Sequence, residues 1–151
     1  MLRADVILAP AKSTDFGALL TLRIEAMRES LERIGRFDAA QARQRFLSGF
    51  SPQHTQHIEL HGERVGFLVV KPQGDGLLLD HLYIRPDVQG RGIGAFVLSQ
   101  ILADADAKAL PVRVGALRES ASNRFYIRHG FKLVEQGEFD NYYLRLPALD
   151  S

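Results

Sequence analysis

Apolar positions along the chain alternate between a period of two and a period near 3.6, and each switch marks an element. Asp5–Ala9 reads as a short strand closed by Pro10. Leu19, Leu20, Leu22, Ile24, Met27, Leu31 and Ile34 then recur at helical spacing, with Ser13 or Thr14 as the cap, Asp15 in the first turn and Gly35 as the stop. A second helix is expected over Ala39–Leu47, capped by Asp38. His57–Leu60 and Arg64–Val70 read as a hairpin about His61-Gly62-Glu63, and Pro72–Gly76 as a loop. Leu77–Ile84 is a nearly unbroken apolar run, so it reads as a buried strand ended by Arg85-Pro86-Asp87. A long helix follows over Ala95–Ala109, then a strand over Leu110–Ala116. Ser120 or Ser122 is the expected cap of a short helix that Gly130 ends. Lys132–Glu135 and Asp140–Leu146 read as two last strands around Gly137, with Pro147–Ser151 as an unstructured tail.

Two features in this outline carry chemistry. Between the buried strand and the long helix, Gln89-Gly90-Arg91-Gly92-Ile93-Gly94 places three glycines at alternate positions. Glycines lower the steric barrier to aiming several backbone N–H groups at one point, and the helix start adds unpaired donors and a positive dipole end. Such a cradle suits phosphate. It lacks the Gly-Lys-Ser/Thr ending of a nucleotide P-loop and the Gly-x-Gly-x-x-Gly spacing of dinucleotide folds. The plainer alternative is a tight turn whose glycines only permit close packing. The second feature is Asp80, a carboxylate inside the apolar strand. It needs a partner, and could accept a proton from an ammonium group, hold that group by charge, or cap a loop. Alternation puts Asp80 with Leu78, Leu82 and Ile84, and His81 with Tyr83 on the other face.

Gln89, Gly92 and Gly94 meet the pattern Gln/Arg-x-x-Gly-x-Gly/Ala, and Tyr83-Ile84-Arg85-Pro86-Asp87 precedes it as a strand-to-loop junction. Downstream, Phe125-Tyr126-x-x-x-Gly130-Phe131 follows in the right order, with a strand between. Together these resemble the two signature segments of the GNAT superfamily of N-acetyltransferases. The resemblance implies one α+β domain over residues 1–151, with a mixed, mostly antiparallel sheet flanked by helices. It implies acetyl-CoA as cosubstrate, held by Leu82, Tyr83 and Ile84 through strand-like pairing. The N–H groups of Gln89, Gly90, Arg91, Gly92, Ile93, Gly94 and Ala95 would take its pyrophosphate. Tyr126 takes the place of the family's general acid, which protonates the departing thiolate, and Asp80 falls where the base stands. Asn123, one turn before Tyr126, is a candidate for the pantetheine arm, although the family often sets this asparagine nearer Glu119 or Ser120. Arg124 and Arg128 are further candidates for the CoA phosphates. The helix–helix region makes Arg28 and Phe37, with Glu29, Glu32 and Arg36, candidates for contact with the acceptor, as is His81. The expected reaction moves acetyl directly to a primary amine of a small molecule. A protein or peptide acetyltransferase and a non-catalytic acyl-CoA sensor are the alternatives.

Composition narrows this picture modestly. The 151 residues carry a formal net charge of +1, with no concentrated basic patch, so nothing favours nucleic acid. With no cysteine, disulfides, thiolate metal sites and a cysteine nucleophile are excluded. His54, His57 and His61 lack carboxylates at ligand spacing and are expected to face solvent, so no metal is expected. No apolar run reaches transmembrane length and no export signal is evident, so a cytoplasmic protein without membrane association is expected. Dimerisation is common among GNAT proteins, so a homodimer is an implied possibility.

Overall fold

In the computed structural model, which describes residues 5–33, 35 and 38–148, seven strands form a sheet in the order β1-β2-β3-β4-β5-β7-β6. They are β1 (Val6–Pro10), β2 (Thr55–Leu60), β3 (Glu63–Gln73), β4 (Gly76–Ile84), β5 (Val112–Leu117), β6 (Lys132–Gln136) and β7 (Asp140–Arg145). The helices are α1 (Phe16–Arg33), α2 (Ala39–Gly49), α3 (Ile93–Ala107) and α4 (Ser122–Arg128). Pairing is antiparallel between β1 and β2, β2 and β3, β5 and β7, and β6 and β7, whereas β4 runs parallel to β5. This is the mixed, mostly antiparallel α+β architecture expected from the pattern.

The described residues gather into two compact units, one reaching up to Val69 and taking in His81–Gly94, the other made of Val70–Asp80 and the residues from Ala95 onward. In the first, Leu19 of α1, Phe46 of α2 and Phe67 and Val69 of β3 form a core joined by Phe16, Phe50 and Tyr83. In the second, α3 turns Val97, Leu98, Ile101, Leu102 and Ala105 inward, a single stripe at helical spacing. Val112, Val114 and Ala116 alternate inward along β5.

Several local expectations need correction. The first helical segment is capped from Lys12 rather than Ser13 or Thr14: Asp15 accepts the Lys12 N–H at 2.9 Å. The hairpin turn is the two-residue His61-Gly62, both with positive φ, a geometry that matches the twist of the flanking strands. Pro72 and Gln73 extend β3, leaving only Gly74-Asp75 as a turn. At α4 the N-cap is Ala121, with no side-chain cap; the Ser120 hydroxyl donates to the Leu117 carbonyl instead. The tail is tied down as far as Ala148, whose N–H donates to Asp106 at 2.9 Å. That carboxylate also takes a two-point contact from Arg145, which holds its pKa below the usual range. Residues 149–151, Arg36 and Phe37 lie outside the described residues.

The expectation that His57 faces solvent is also wrong. His57 is only 2% exposed, and its Nε2 lies 2.9 Å from Asp15 Oδ2, with Arg64 3.4 Å from the other carboxylate oxygen. A buried imidazole needs such a partner. The His57 hydrogen bond, then the Lys12 N–H, lowers the Asp15 pKa from 3.8 to about 2. A carboxyl depressed on folding contributes stability above its unfolded pKa and loses it as pH falls through the folded one. Asp15→Asn should therefore destabilise by about 1 kcal/mol at pH 7, after allowance for solvent screening. Urea unfolding should show that deficit closing between about pH 4 and pH 2. A deficit independent of pH would contradict the ion-pair account.

Candidate active site

The strand-to-helix junction after β4 is built from backbone outward. Pro86–Val88 forms one turn of 3-10 helix, and the N–H of Arg85 donates to the Val65 carbonyl at 2.7 Å. The Arg85 guanidinium is clasped by Glu63 and Asp87. Arg85 in turn depresses the Asp87 pKa, chiefly through that hydrogen bond. The Gln89 side chain donates back to the Ile84 carbonyl at 2.7 Å, closing the loop on the end of its own strand. Because the Gln89 N–H bonds the Pro86 carbonyl at 3.3 Å, the donors that remain for an anion begin at Gly90.

Gly90 and Gly92 both have φ +81°, a left-handed backbone that residues with a Cβ avoid. A Cβ built on either meets nothing within 4 Å, so conformation, not close packing, calls for glycine there. The packing alternative thus fails at these two positions. The helix begins at Ile93, two residues earlier than the periodicity suggests, so Ile93, Gly94 and Ala95 supply first-turn N–H groups without intrahelical acceptors. A left-handed loop running into a helix N-terminus, open on its outer side, can receive an anion.

Above this junction, Gly66 on β3 lets the β4 backbone pass: a Cβ there would stand 2.2 Å from the Tyr83 carbonyl oxygen. The His81 and Tyr83 rings share one face, as alternation requires, with centroids 5.4 Å apart and His81 Nδ1 3.3 Å from the Tyr83 hydroxyl. His81 also lies edge-on to Phe46, at 5.4 Å. Leu82 and Ile84 are partly buried. Arg28, on the exposed side of α1, pairs with Glu32 at 2.7 Å, an ordinary i,i+4 surface pair.

In the second unit, Asp80 has found the partner its burial demands, Lys71 Nζ at 3.0 Å. Tyr126 is 5% exposed, and its ring packs between Phe125 (5.3 Å) and Phe131 (5.4 Å). Gly130, at φ +89°, ends the short helix in the left-handed position. Asn123 is saturated by the chain itself. Its Nδ2 donates to the Leu117 and Ser120 carbonyls, at 2.8 and 2.9 Å. Its Oδ1 accepts from Asn141 Nδ2 and the Tyr143 hydroxyl, at 2.9 and 2.7 Å. Its evident work is to tie α4 to β5 and β7. Arg124 and Arg128 are exposed.

Residues 52–133, which hold both glycine-bearing segments, match the family model described as Acetyltransferase (GNAT) domain. The chain belongs to the GNAT acetyltransferases. Solved structures agree on the fold. PaiA N-acetyltransferase from Thermoplasma acidophilum, in complex with coenzyme A, is 15% identical, with TM-score 0.75 over 93% of this chain and 98% of its own. The ribosomal-protein-S18-alanine N-acetyltransferase from Escherichia coli is 14% identical, with TM-score 0.73 over 97% and 96%. An acetyltransferase from Thermus thermophilus is 23% identical, with TM-score 0.71 over 97% and 99%. A comparison with curated proteins found no match.

Within this GNAT chain one side chain escaped the sequence reading. Arg23 occupies the inward stripe of α1, four residues from both Leu19 and Met27, and its Nε is buried without a hydrogen-bond partner. The available signal was a cation at an apolar position of the helical period.

The loop geometry makes a sharp forecast. Gly92→Ala should destabilise by about 1 kcal/mol through backbone conformation alone. Gly94→Ala, in the helical first turn, should be neutral or stabilising. Chemical denaturation of the two variants ranks them, and equal stabilities would refute the left-handed assignment.

Proposed function

We propose that this GNAT acetyltransferase transfers the acetyl group of acetyl-CoA directly to a primary amine of a small molecule. The observation that carries the cosubstrate is the loop: left-handed Gly90 and Gly92, open to solvent on the side a Cβ would fill, leading into the N-terminus of α3. Gly90, Arg91, Gly92, Ile93, Gly94 and Ala95 would hold the pyrophosphate by backbone N–H groups. The backbone of Leu82, Tyr83 and Ile84 would hold the pantetheine arm. That the Thermoplasma relative is described in complex with coenzyme A supports the assignment. When bound, acetyl-CoA supplies an activated thioester carbonyl.

The chain's own groups then have distinct work. Asp80, oriented by Lys71, takes up the proton that the substrate ammonium must lose before its nitrogen can attack. Tyr126, fixed between two phenylalanines, keeps a hydroxyl proton for the thiolate sulfur as the carbon–sulfur bond breaks. Asn123 acts through its hydrogen bonds, holding α4 and so Tyr126 in place, rather than by contact with the cosubstrate. The Escherichia coli relative is named for a protein substrate. A small amine is preferred here because aromatic rings and a half-buried arginine crowd the region between α1, α2 and β4.

Thiol release with acetyl-CoA and a panel of amines, polyamines and peptide N-termini tests this reading. Tyr126→Phe should lower kcat by about 100-fold while leaving acetyl-CoA affinity within about twofold, since only one proton transfer is removed. Turnover unchanged by the substitution would dismiss Tyr126 as the acid. Acetylation confined to folded proteins or peptides would replace the small-molecule acceptor.

A further inference from the structure

Three arginines on α1 meet different fates. Arg28 and Arg33 each have a glutamate one turn away, Glu32 at 2.7 Å and Glu29 at 3.1 Å. Arg23 has Leu19, Leu20, Ala26 and Met27 at the corresponding positions, so its own helix offers no acid. None of the ion pairs in the first unit reaches it among the described residues; their acids bind His57, Arg64, Arg85, Arg28, Arg33 and His61. Its guanidinium carbon instead stands 5.8 Å from the centre of the Phe46 ring and 5.9 Å from that of Tyr83. Phe67 and His81 extend the same aromatic cluster, at 5.4 to 6.0 Å between neighbouring rings. Ring faces attract the cation but accept no ordinary hydrogen bond, so the buried Nε donor stays unsatisfied. A fold seldom leaves such a donor buried without reason.

We infer that Arg23 reads a carboxylate on the acceptor, so that the amine to be acetylated belongs to a small amino-carboxylic acid. A guanidinium presents Nε and one terminal nitrogen along a single edge, the geometry that a planar two-oxygen anion fills with two parallel hydrogen bonds. With Cζ over two rings that accept no ordinary hydrogen bond, the N–H groups are what the guanidinium keeps for an anion. One carboxylate also balances one cation. Another arginine, Arg43, lies over Phe16, at 5.5 Å. His81 belongs to this cluster and directly follows Asp80, the proposed base, in the chain. The inference rests on the acetyl-transfer reading for the fate of the amine, but not for recognition of the carboxylate.

Equilibrium binding separates the two. The wild-type protein, Arg23→Gln and Arg23→Met would be titrated calorimetrically with the common α-amino acids and with their α-carboxamides, and separately with acetyl-CoA. At least one acid should bind the wild type at least tenfold more tightly than its amide. Both substitutions should abolish that preference and leave amide and acetyl-CoA affinities unchanged. Arg23→Met, which removes the orphan donor but keeps an unbranched apolar side chain against the rings, should unfold at or above the wild-type temperature. Aspartate or glutamate α-amides binding as tightly as the free acids would place the recognised carboxylate on the side chain. Absence of any preference for the acid, its survival in Arg23→Gln, or a lowered unfolding temperature in Arg23→Met would overturn the inference. Acid preference without acetyl-CoA binding would overturn the acetyl-transfer reading instead.

Discussion

The left-handed backbone at Gly90 and Gly92 is the constraint on which the functional reading depends. A chain leaving β4 must turn, release its strand pairing and enter a helix within a few residues, and it does so with φ values that L side chains avoid. The surroundings are arranged around that turn. Arg85 is held by two carboxylates and by its own N–H on Val65, and Gln89 folds back onto Ile84. Gly66 gives the Tyr83 carbonyl room. Each contact fixes the loop from the strand side and leaves its helix side facing outward.

A second theme is the handling of polar groups in apolar settings. His57 has Asp15, Asp80 has Lys71, and Asn123 uses both ends of its amide on four partners. Each placement would be unfavourable alone and is offset by a partner distant in sequence or one strand away. Arg23, in the first unit, departs from that rule. That contrast makes its unfilled donor informative.

Much of this was legible in the sequence, and the failures share a cause. The strand, loop and helix around Leu77–Gly94 follow from a run of apolar residues, one proline and three glycines, all local signals. The Asp38 cap, accepting from Gln41, and the Gly35 and Gly130 stops are equally local. By contrast, the burial of His57 depends on Asp15, 42 residues away, and the saturation of Asn123 depends on Tyr143 and Asn141. Period and propensity do not encode such long-range pairings. Arg23 is not legible in this way, because a single charge in an apolar stripe carries no signal until its surroundings show that nothing answers it.

The central claim is that the glycine loop binds the pyrophosphate of an acyl-CoA. Calorimetric titration of the folded protein with acetyl-CoA and free CoA tests it most directly, with Gly92→Glu as the control that sets a carboxylate and a strained backbone in the cradle. The wild type is expected to bind both ligands one-to-one, and a folded variant to lose both. A well-folded wild type that binds neither, or a Gly92→Glu variant that binds as well as the wild type, would contradict it.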